Sequence, residues 1–93
     1  MTRSCDAIGC GADVSPGRFM CIRHWRMVPL EVQRTINDRY RTYRKDFAFL
    51  SDVIYLGACV AALERVARDE GRPLEATSYH RLLSSAQRKA GSA

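Results

Sequence analysis

Three cysteines and one histidine near the start of the chain carry the clearest chemistry in the sequence. They follow the spacing Cys-x4-Cys-x10-Cys-x2-His, at Cys5, Cys10, Cys21 and His24. Two pairs of thiolate or imidazole ligands separated by a short loop suit a tetrahedral ion, and this ligand mixture selects zinc over magnesium or calcium. Because four protein ligands leave no position for water, the spacing predicts a structural Zn²⁺ cofactor and no catalytic residues.

Other interpretations of these side chains stay open from the sequence. The cysteines could be reduced thiols without a metal, and His80 could replace His24 as the fourth ligand. A redox role is disfavoured because four residues separate Cys5 from Cys10, unlike the two of a redox Cys-x-x-Cys pair. Cys59 stands apart in an apolar segment and is predicted to be a small buried hydrophobe.

Size and composition favour one small globular domain. The chain has 93 residues, of which 46% are hydrophobic and 27% are charged. A core of this size gives only marginal stability, so a metal ion often supplements it. No segment approaches the roughly 20 apolar residues that cross a bilayer, and the N-terminus lacks the apolar run of a secretory signal. We therefore expect a cytoplasmic protein with reduced thiols and no membrane association.

The elements that must position the four ligands are predicted to be mainly α. Residues 1–28 should form a zinc knuckle that is mostly loop, with a short β-hairpin as one option and a helical turn over 20–27. Residues 29–90 should form a small bundle that joins the knuckle in one compact domain. The bundle should contain three helices, at about 29–45, 46–70 and 73–89, and the tail over 90–93 should fray.

Local signals fix some of these helix boundaries. Pro29 suits the first position of the first helix. Gly71 suits the left-handed position after the second helix, and Pro73 follows it. Ser51 and Asp52 are a candidate start signal inside the second helix, so a break there is an alternative.

The second helix carries two apolar stripes and should be buried on two sides, either as the central helix of the fold or in a homodimer interface. The first stripe is Phe47, Leu50, Ile54, Ala58 and Ala61, and the second is Val53, Leu56, Val60, Leu63 and Ala67. Aromatic residues gather where the first two helices join, at Tyr40, Tyr43, Phe47 and Phe49. Core packing is the expected role of these rings, with an exposed partner-binding patch as the alternative.

Positive charge is concentrated in the second quarter of the chain. The formal net charge is +5, and residues 18–45 hold eight basic groups against two acidic ones. Alternating signs along the first helix are typical of a solvated face with local ion pairs, but the basic groups could also contact nucleic acid or an acidic protein. The candidate contact residues are Arg18, Arg23, Arg26, Arg34, Arg41 and Lys45.

One stretch resembles a pattern in small zinc-binding proteins encoded by bacteriophages and prophages. It runs Met-Cys-Ile-Arg-His-Trp-Arg-Met-Val-Pro-Leu over residues 20–30, followed by Gln33 and by Arg-Tyr-Arg over residues 39–41. Together with the preceding cysteines, the resemblance covers about residues 5–41. It implies a phage origin and a metal held by Cys5, Cys10, Cys21 and His24. Small phage proteins often bind a host factor, a defence complex or nucleic acid.

These observations define the expected function. The sequence shows no combination of a nucleophile, a general base and a residue that orients the base, and it shows no phosphate-binding loop. We therefore expect a protein that is not an enzyme. The first hypothesis is a zinc-stabilised module that binds a host or defence protein stoichiometrically. The alternatives are a nucleic-acid-binding module that uses the basic 18–45 segment and an architectural homodimer built on the 47–70 helix.

Overall fold

The computed structural model describes residues 3–15 and 18–90 and confirms the predicted mainly helical fold. Pro16, Gly17 and residues 91–93, which belong to the predicted loop and the predicted frayed tail, lie outside the described residues. Two short strands pair antiparallel, Arg3 opposite Val14 and Ser4 opposite Asp13. In chain order the elements are β1 (Arg3–Ser4), β2 (Asp13–Val14), α1 (Ile22–Trp25), α2 (Leu30–Tyr43), two 3₁₀ turns (Arg44–Asp46 and Ala48–Ser51), α3 (Val53–Asp69) and α4 (Ser78–Ala90).

The central element is α3, which packs against both α2 and α4. Its Leu56, Cys59, Leu63 and Val66 side chains are fully buried. Burial raises the pKa of the Cys59 thiol to about 12, so this cysteine stays a neutral hydrophobe, as predicted. Among the residues that the structure describes, no helix has the length and apolar content of a membrane-spanning segment.

Only one of the two apolar stripes of the predicted second helix is buried along most of its length. The first stripe reaches solvent at its N-terminal end, where Phe47, Leu50 and Ile54 are 67%, 43% and 51% exposed. Phe47 and Leu50 also lie outside α3, which begins at Val53. Burial on two sides within one chain therefore does not extend to this end of the helix, and burial of these residues in a homodimer interface stays a prediction.

Residues 46–52 form turns and a helix cap where the sequence favoured continuous helix. Phe47 adopts a left-handed conformation, with φ of 54°, between the two 3₁₀ turns. Asp52 then caps α3 by accepting a hydrogen bond from the Ile54 backbone N–H. Arg39 of α2 donates two hydrogen bonds to the Asp52 carboxylate, at 2.7 and 3.1 Å. These bonds hold the pKa of Asp52 below its usual value and fix α3 to α2 at the break.

Replacing Asp52→Ala is expected to lower the free energy of unfolding by about 1–2 kcal/mol, because one change removes both the cap and the half-buried ion pair. Asp69→Ala is the matched control, since Asp69 pairs with Arg65 on the same helix at an exposed site and should cost less than about 0.5 kcal/mol. Urea denaturation of both variants measures the difference. Equal effects would show that the Arg39–Asp52 bonds do not stabilise the helix junction.

Gly71 ends α3 as predicted. It has φ of 68°, and the backbone N–H groups of Gly71 and Arg72 donate to the carbonyls of Arg68 and Ala67. This pair of bonds satisfies the last carbonyls of the helix.

The third predicted helix begins later than expected, at Ser78 rather than at 73 or 74. Thr77 precedes it, and the Thr77 backbone N–H donates to Nδ1 of His80 at 3.0 Å. This side-chain hydrogen bond precedes the start of α4, while residues 71–76 are exposed and have no buried side chain to hold an earlier turn.

Candidate metal centre

The β1–β2 ladder and α1 bring the four predicted ligands together. Cys5 follows β1 directly, and Cys10 lies in the connection to β2, after Gly9 with φ of 80°. Cys21 occupies the position before α1, and His24 follows one turn later on the same helix. One ligand atom from each residue lies within 4.8 Å of all the others. A cluster of this composition and spacing could hold a metal ion.

The distances between ligand atoms fit a tetrahedral ion. Bonds of about 2.3 Å to sulfur and about 2.0 Å to nitrogen place sulfur and nitrogen about 3.5 Å apart in a tetrahedron. Nδ1 of His24 lies 3.2 Å from Sγ of Cys21 and 3.7 Å from Sγ of Cys5. The histidine therefore presents Nδ1 to the sulfurs of Cys5 and Cys21 at separations close to those of a tetrahedral site.

The cluster is enclosed on one side and partly open on the other. His24 is 1% exposed and Cys5 is buried, while Cys10 and Cys21 are half-buried. The backbone N–H of Cys21 donates to Sγ of Cys5 at 3.2 Å, a bond that stabilises a thiolate at that sulfur. Desolvation nevertheless raises the pKa of Cys5 to about 11. Although desolvation acts the same way on Cys21, hydrogen bonds from His24 and Cys5 lower its pKa to about 7.

Metal binding at neutral pH is expected to release protons, because the Cys5 thiol is protonated without metal and must ionise to become a ligand. Affinity should therefore weaken as the pH falls, since protons compete with the metal for the thiolates. Calorimetric titration with Zn²⁺ in two buffers of different ionisation enthalpy should give different observed enthalpies at one pH. Identical enthalpies in both buffers would show that no thiol ionises on binding.

Glu70 supplies a hydrogen bond behind the cluster. With a metal ion on Nδ1 of His24, Nε2 would carry the ring proton and donate it to Oε1 of Glu70, which lies 3.0 Å away, while Nη2 of Arg23 lies 3.1 Å from the same nitrogen. A carboxylate in this position fixes the imidazole orientation and raises its strength as a ligand. Although desolvation opposes the effect, His24 lowers the pKa of Glu70, so the carboxylate stays ionised. The C-terminal end of α3 is thereby joined to the metal cluster.

Two arginines surround this carboxylate. Arg23 approaches Oε2 of Glu70 at 3.6 Å, and Arg72 approaches Oε1 at 3.4 Å. The Arg72 guanidinium also packs against Gly9, where an added Cβ would lie 2.5 Å from its Nη1 atom. The positive φ favours glycine before Cys10, whereas the Arg72 guanidinium is the end of a flexible, exposed side chain that could move away from an added Cβ.

Replacing Glu70→Ala is expected to weaken metal affinity about 10- to 100-fold, because His24 loses the group that orients it. Glu64→Ala is the matched control, since Glu64 accepts from Nε2 of His80 in the same way on the same helix. Competition against a chromophoric chelator measures both affinities. A Glu70→Ala affinity equal to that of Glu64→Ala would show that the carboxylate does not support the ligand.

Sequence reasoning missed Glu70, although one signal was present. An acidic side chain at the C-terminal end of a helix is unfavourable next to the helix dipole, so Glu70 needed a compensating partner. The role of Gln33 was also unforeseen. Its amide nitrogen donates to the carbonyls of Trp25 and Val28, at 2.7 and 3.1 Å, and so connects α2 to the end of α1.

His80 has partners other than the cluster. Its Nδ1 accepts from Thr77 and its Nε2 donates to Glu64, so both ring nitrogens are occupied. Within residues 3–15 and 18–90, the group that could hold a metal contains His24 and not His80.

The predicted contact arginines fall into two groups. Arg23 is paired with Glu70, beside the cluster. The other members of the set are exposed, and within the described ranges no salt bridge involves them; these are Arg18, Arg26, Arg34, Arg41 and Lys45. The expected ion pairs along α2 are thus not formed among the described side chains, and this positive surface is open to solvent.

The aromatic residues at the α2–α3 junction include both packed and exposed rings. The Tyr40 and Phe49 rings pack edge to face at 4.9 Å, and Phe49 packs on Tyr55 at 5.4 Å. Tyr43 lies under the guanidinium of Arg39. Core packing is therefore right for Tyr40 and Phe49, while Phe47 projects into solvent.

Comparison with known proteins gives no relative for this arrangement. No protein-family model, no curated protein and no solved structure matches the sequence significantly.

Proposed function

We propose that the cluster holds one structural Zn²⁺ ion and that the chain is a small, non-enzymatic protein-binding module. The observation that carries this proposal is the convergence of Cys5, Cys10, Cys21 and His24 within 4.8 Å. Three thiolates and one imidazole are typical zinc ligands, and with all four in place neither water nor substrate can reach the ion. Activity would then reside in the surfaces that the metal holds in position.

The origin and the type of partner are part of the same proposal. The phage-like motif within residues 20–41 supports a phage or prophage origin. Such a protein would act in the cytoplasm of a bacterial host, where thiols stay reduced, and would bind a host or defence protein stoichiometrically.

Affinity capture tests this function. The zinc-loaded protein, immobilised through a C-terminal tag, is exposed to nuclease-treated lysate of a candidate host, with a chelator-treated sample as control. We expect one host protein to be retained in stoichiometric amount by the zinc-loaded form alone. An eluate without a stoichiometric protein partner, from every host tested, would contradict the proposed function.

Nucleic-acid binding is a second candidate, favoured by the exposed basic residues that form no salt bridge within the described residues, which are Arg18, Arg26, Arg34, Arg41 and Lys45. Binding of this kind would be strongest at low salt and would weaken steeply as counterions compete for the phosphates. A salt titration with generic duplex DNA measures this dependence. Absence of binding at low salt would eliminate the candidate.

A homodimer is the third candidate, favoured by the exposed apolar side chains of Phe47, Leu50 and Ile54 near the start of α3. Light scattering at micromolar concentration should then report a dimer. A monomer would eliminate this candidate.

A further inference from the structure

A groove lined by aromatic rings lies between the metal knuckle and the helical bundle. Its volume is about 500 Å³, within the range of sites that take a ligand or a peptide side chain. The rings come from elements far apart in sequence, and we call this site the aromatic groove. Its aromatic lining residues are Phe19, Trp25, Tyr40, Phe49, Tyr55 and Tyr79.

We propose that the aromatic groove binds a short acidic segment of a partner protein, with one apolar side chain of that segment inserted between the rings. The inference rests on the proposed protein-binding function and names the site and the chemistry of its partner. Ile22 and Leu50, which also line the groove, are 59% and 43% exposed. They add apolar contact surface on either side of an inserted side chain.

One basic residue lines the groove, and further arginines lie near it in sequence on α2 and after α1, with the acidic Asp38 between Arg34 and Arg41. Arg18 lines the groove directly, as does Asn37 of α2. Arg34 and Arg41 lie about one helical turn on either side of Asn37, and Arg26 lies one turn after Ile22. All four arginines are exposed and have no salt-bridge partner in the described part of the chain. Carboxylates flanking an inserted apolar side chain would complement these arginines.

The arrangement of the rings favours a peptide over single-stranded nucleic acid. Stacking of bases requires open aromatic faces. Here the rings cover one another edge to face, with Phe19 on Tyr79 at 5.1 Å and Phe49 on Tyr55 at 5.4 Å. Tyr55 is buried, and Phe19, Tyr40 and Phe49 are half-buried. Such a lining encloses an apolar side chain better than it presents platforms for bases.

The metal cluster and the groove share one element. Ile22 and Trp25 line the groove from α1, the helical turn that also carries His24 and directly follows Cys21. Loss of the metal would release α1 and remove one wall of the groove. Binding of the acidic segment is therefore expected to require the metal.

Selection from a random peptide display library tests the proposal with the zinc-loaded, full-length protein. We expect enriched peptides to combine acidic residues with one aromatic or large aliphatic residue.

Variants at the groove test where these peptides bind. Asn37→Trp should fill the groove from an exposed position and abolish peptide binding, while Thr42→Trp, on a different face of α2, should leave peptide binding unchanged. Arg18→Glu and Arg41→Glu should each weaken binding at least about tenfold, and Arg81→Glu on α4 should not.

Several outcomes would overturn the groove proposal. The first is that no peptides are enriched. The second is that the enriched peptides bind Asn37→Trp as tightly as wild type. The third is that a single-stranded oligonucleotide binds the protein and that Asn37→Trp abolishes this binding but not the binding of peptides. The lysate capture separates this failure from failure of the proposed function. A stoichiometric host protein retained equally by wild type and Asn37→Trp would keep the protein-binding function and reject the groove as its site.

Discussion

Removal of the metal with a chelator is expected to unfold the knuckle, residues 3–28, and to lower the free energy of unfolding of the whole chain by at least about 3–5 kcal/mol. The reason is the small amount of structure that the knuckle has of its own. Its two strands contain two residues each, and α1 contains four.

Two measurements check this result. Urea denaturation should give a lower midpoint with chelator than without it. Hydrogen exchange should show loss of protection at the backbone amides of Cys5 and Cys21, which donate to the Ala12 carbonyl and to Sγ of Cys5. Cys10→Ser should reproduce the chelator effect. Cys59→Ala is the control for metal retention alone, since this cysteine lies outside the cluster but is fully buried in the core. Unchanged amide protection after complete metal removal would contradict a structural role for the ion.

Replacing Leu63→Ala is expected to lower the free energy of unfolding by about 2–5 kcal/mol, because it leaves a cavity at a fully buried position. α3 packs against both α2 and α4, so the neighbours of Leu63 cannot all move inward together. For a small domain this cost is a large part of the total stability of about 5–15 kcal/mol.

Denaturation of the zinc-loaded variant measures the loss. Leu74→Ala is the control, since Leu74 is exposed in the segment before α4 and its replacement should change stability by less than about 0.5 kcal/mol. If Leu63→Ala costs no more than Leu74→Ala, then α3 is not the central helix of the fold.

The metal cluster could be predicted because its requirement is chemical and local. A tetrahedral ion needs four soft or borderline ligands, and in this chain they occur in two close pairs, Cys5 with Cys10 and Cys21 with His24. The end of α3 was predictable for a similar reason, since Gly71 adopts a conformation that other residues avoid. In both places the relevant partners are near in sequence.

The errors occur where distant partners decide the structure. The helix start at Asp52 was one of the alternatives from the sequence, and the structure confirms it. The hydrogen bonds from Arg39 that accompany it were not foreseen, because they join two separate helices. Glu70 was missed because it lies 46 residues from His24, and no spacing rule connects them. The exposure of Phe47, Leu50 and Ile54 was also unpredictable, since apolar periodicity shows which face a helix buries only when the neighbouring elements are known.

A metal ion bound at this cluster would fix a strongly basic segment and one wall of the aromatic groove together. α1 and the residues that flank it, from Cys21 to Arg26, include two predicted ligands, two groove residues and two arginines. A metal bound to Cys21 and His24 would hold this segment, and so would position its groove residues and arginines relative to α2. In this account the ion contributes to binding indirectly, by ordering the surface that a partner would contact.

X-ray absorption at the zinc edge of the purified, zinc-loaded protein tests the central claim most directly. The account predicts one zinc per chain with three sulfur ligands at about 2.3 Å and one nitrogen ligand at about 2.0 Å. In Cys10→Ser one sulfur should be lost, while Cys59→Ala should leave the spectrum unchanged. A shell made mainly of oxygen and nitrogen, or a protein that purifies without stoichiometric zinc and does not bind it when zinc is added, would contradict the account.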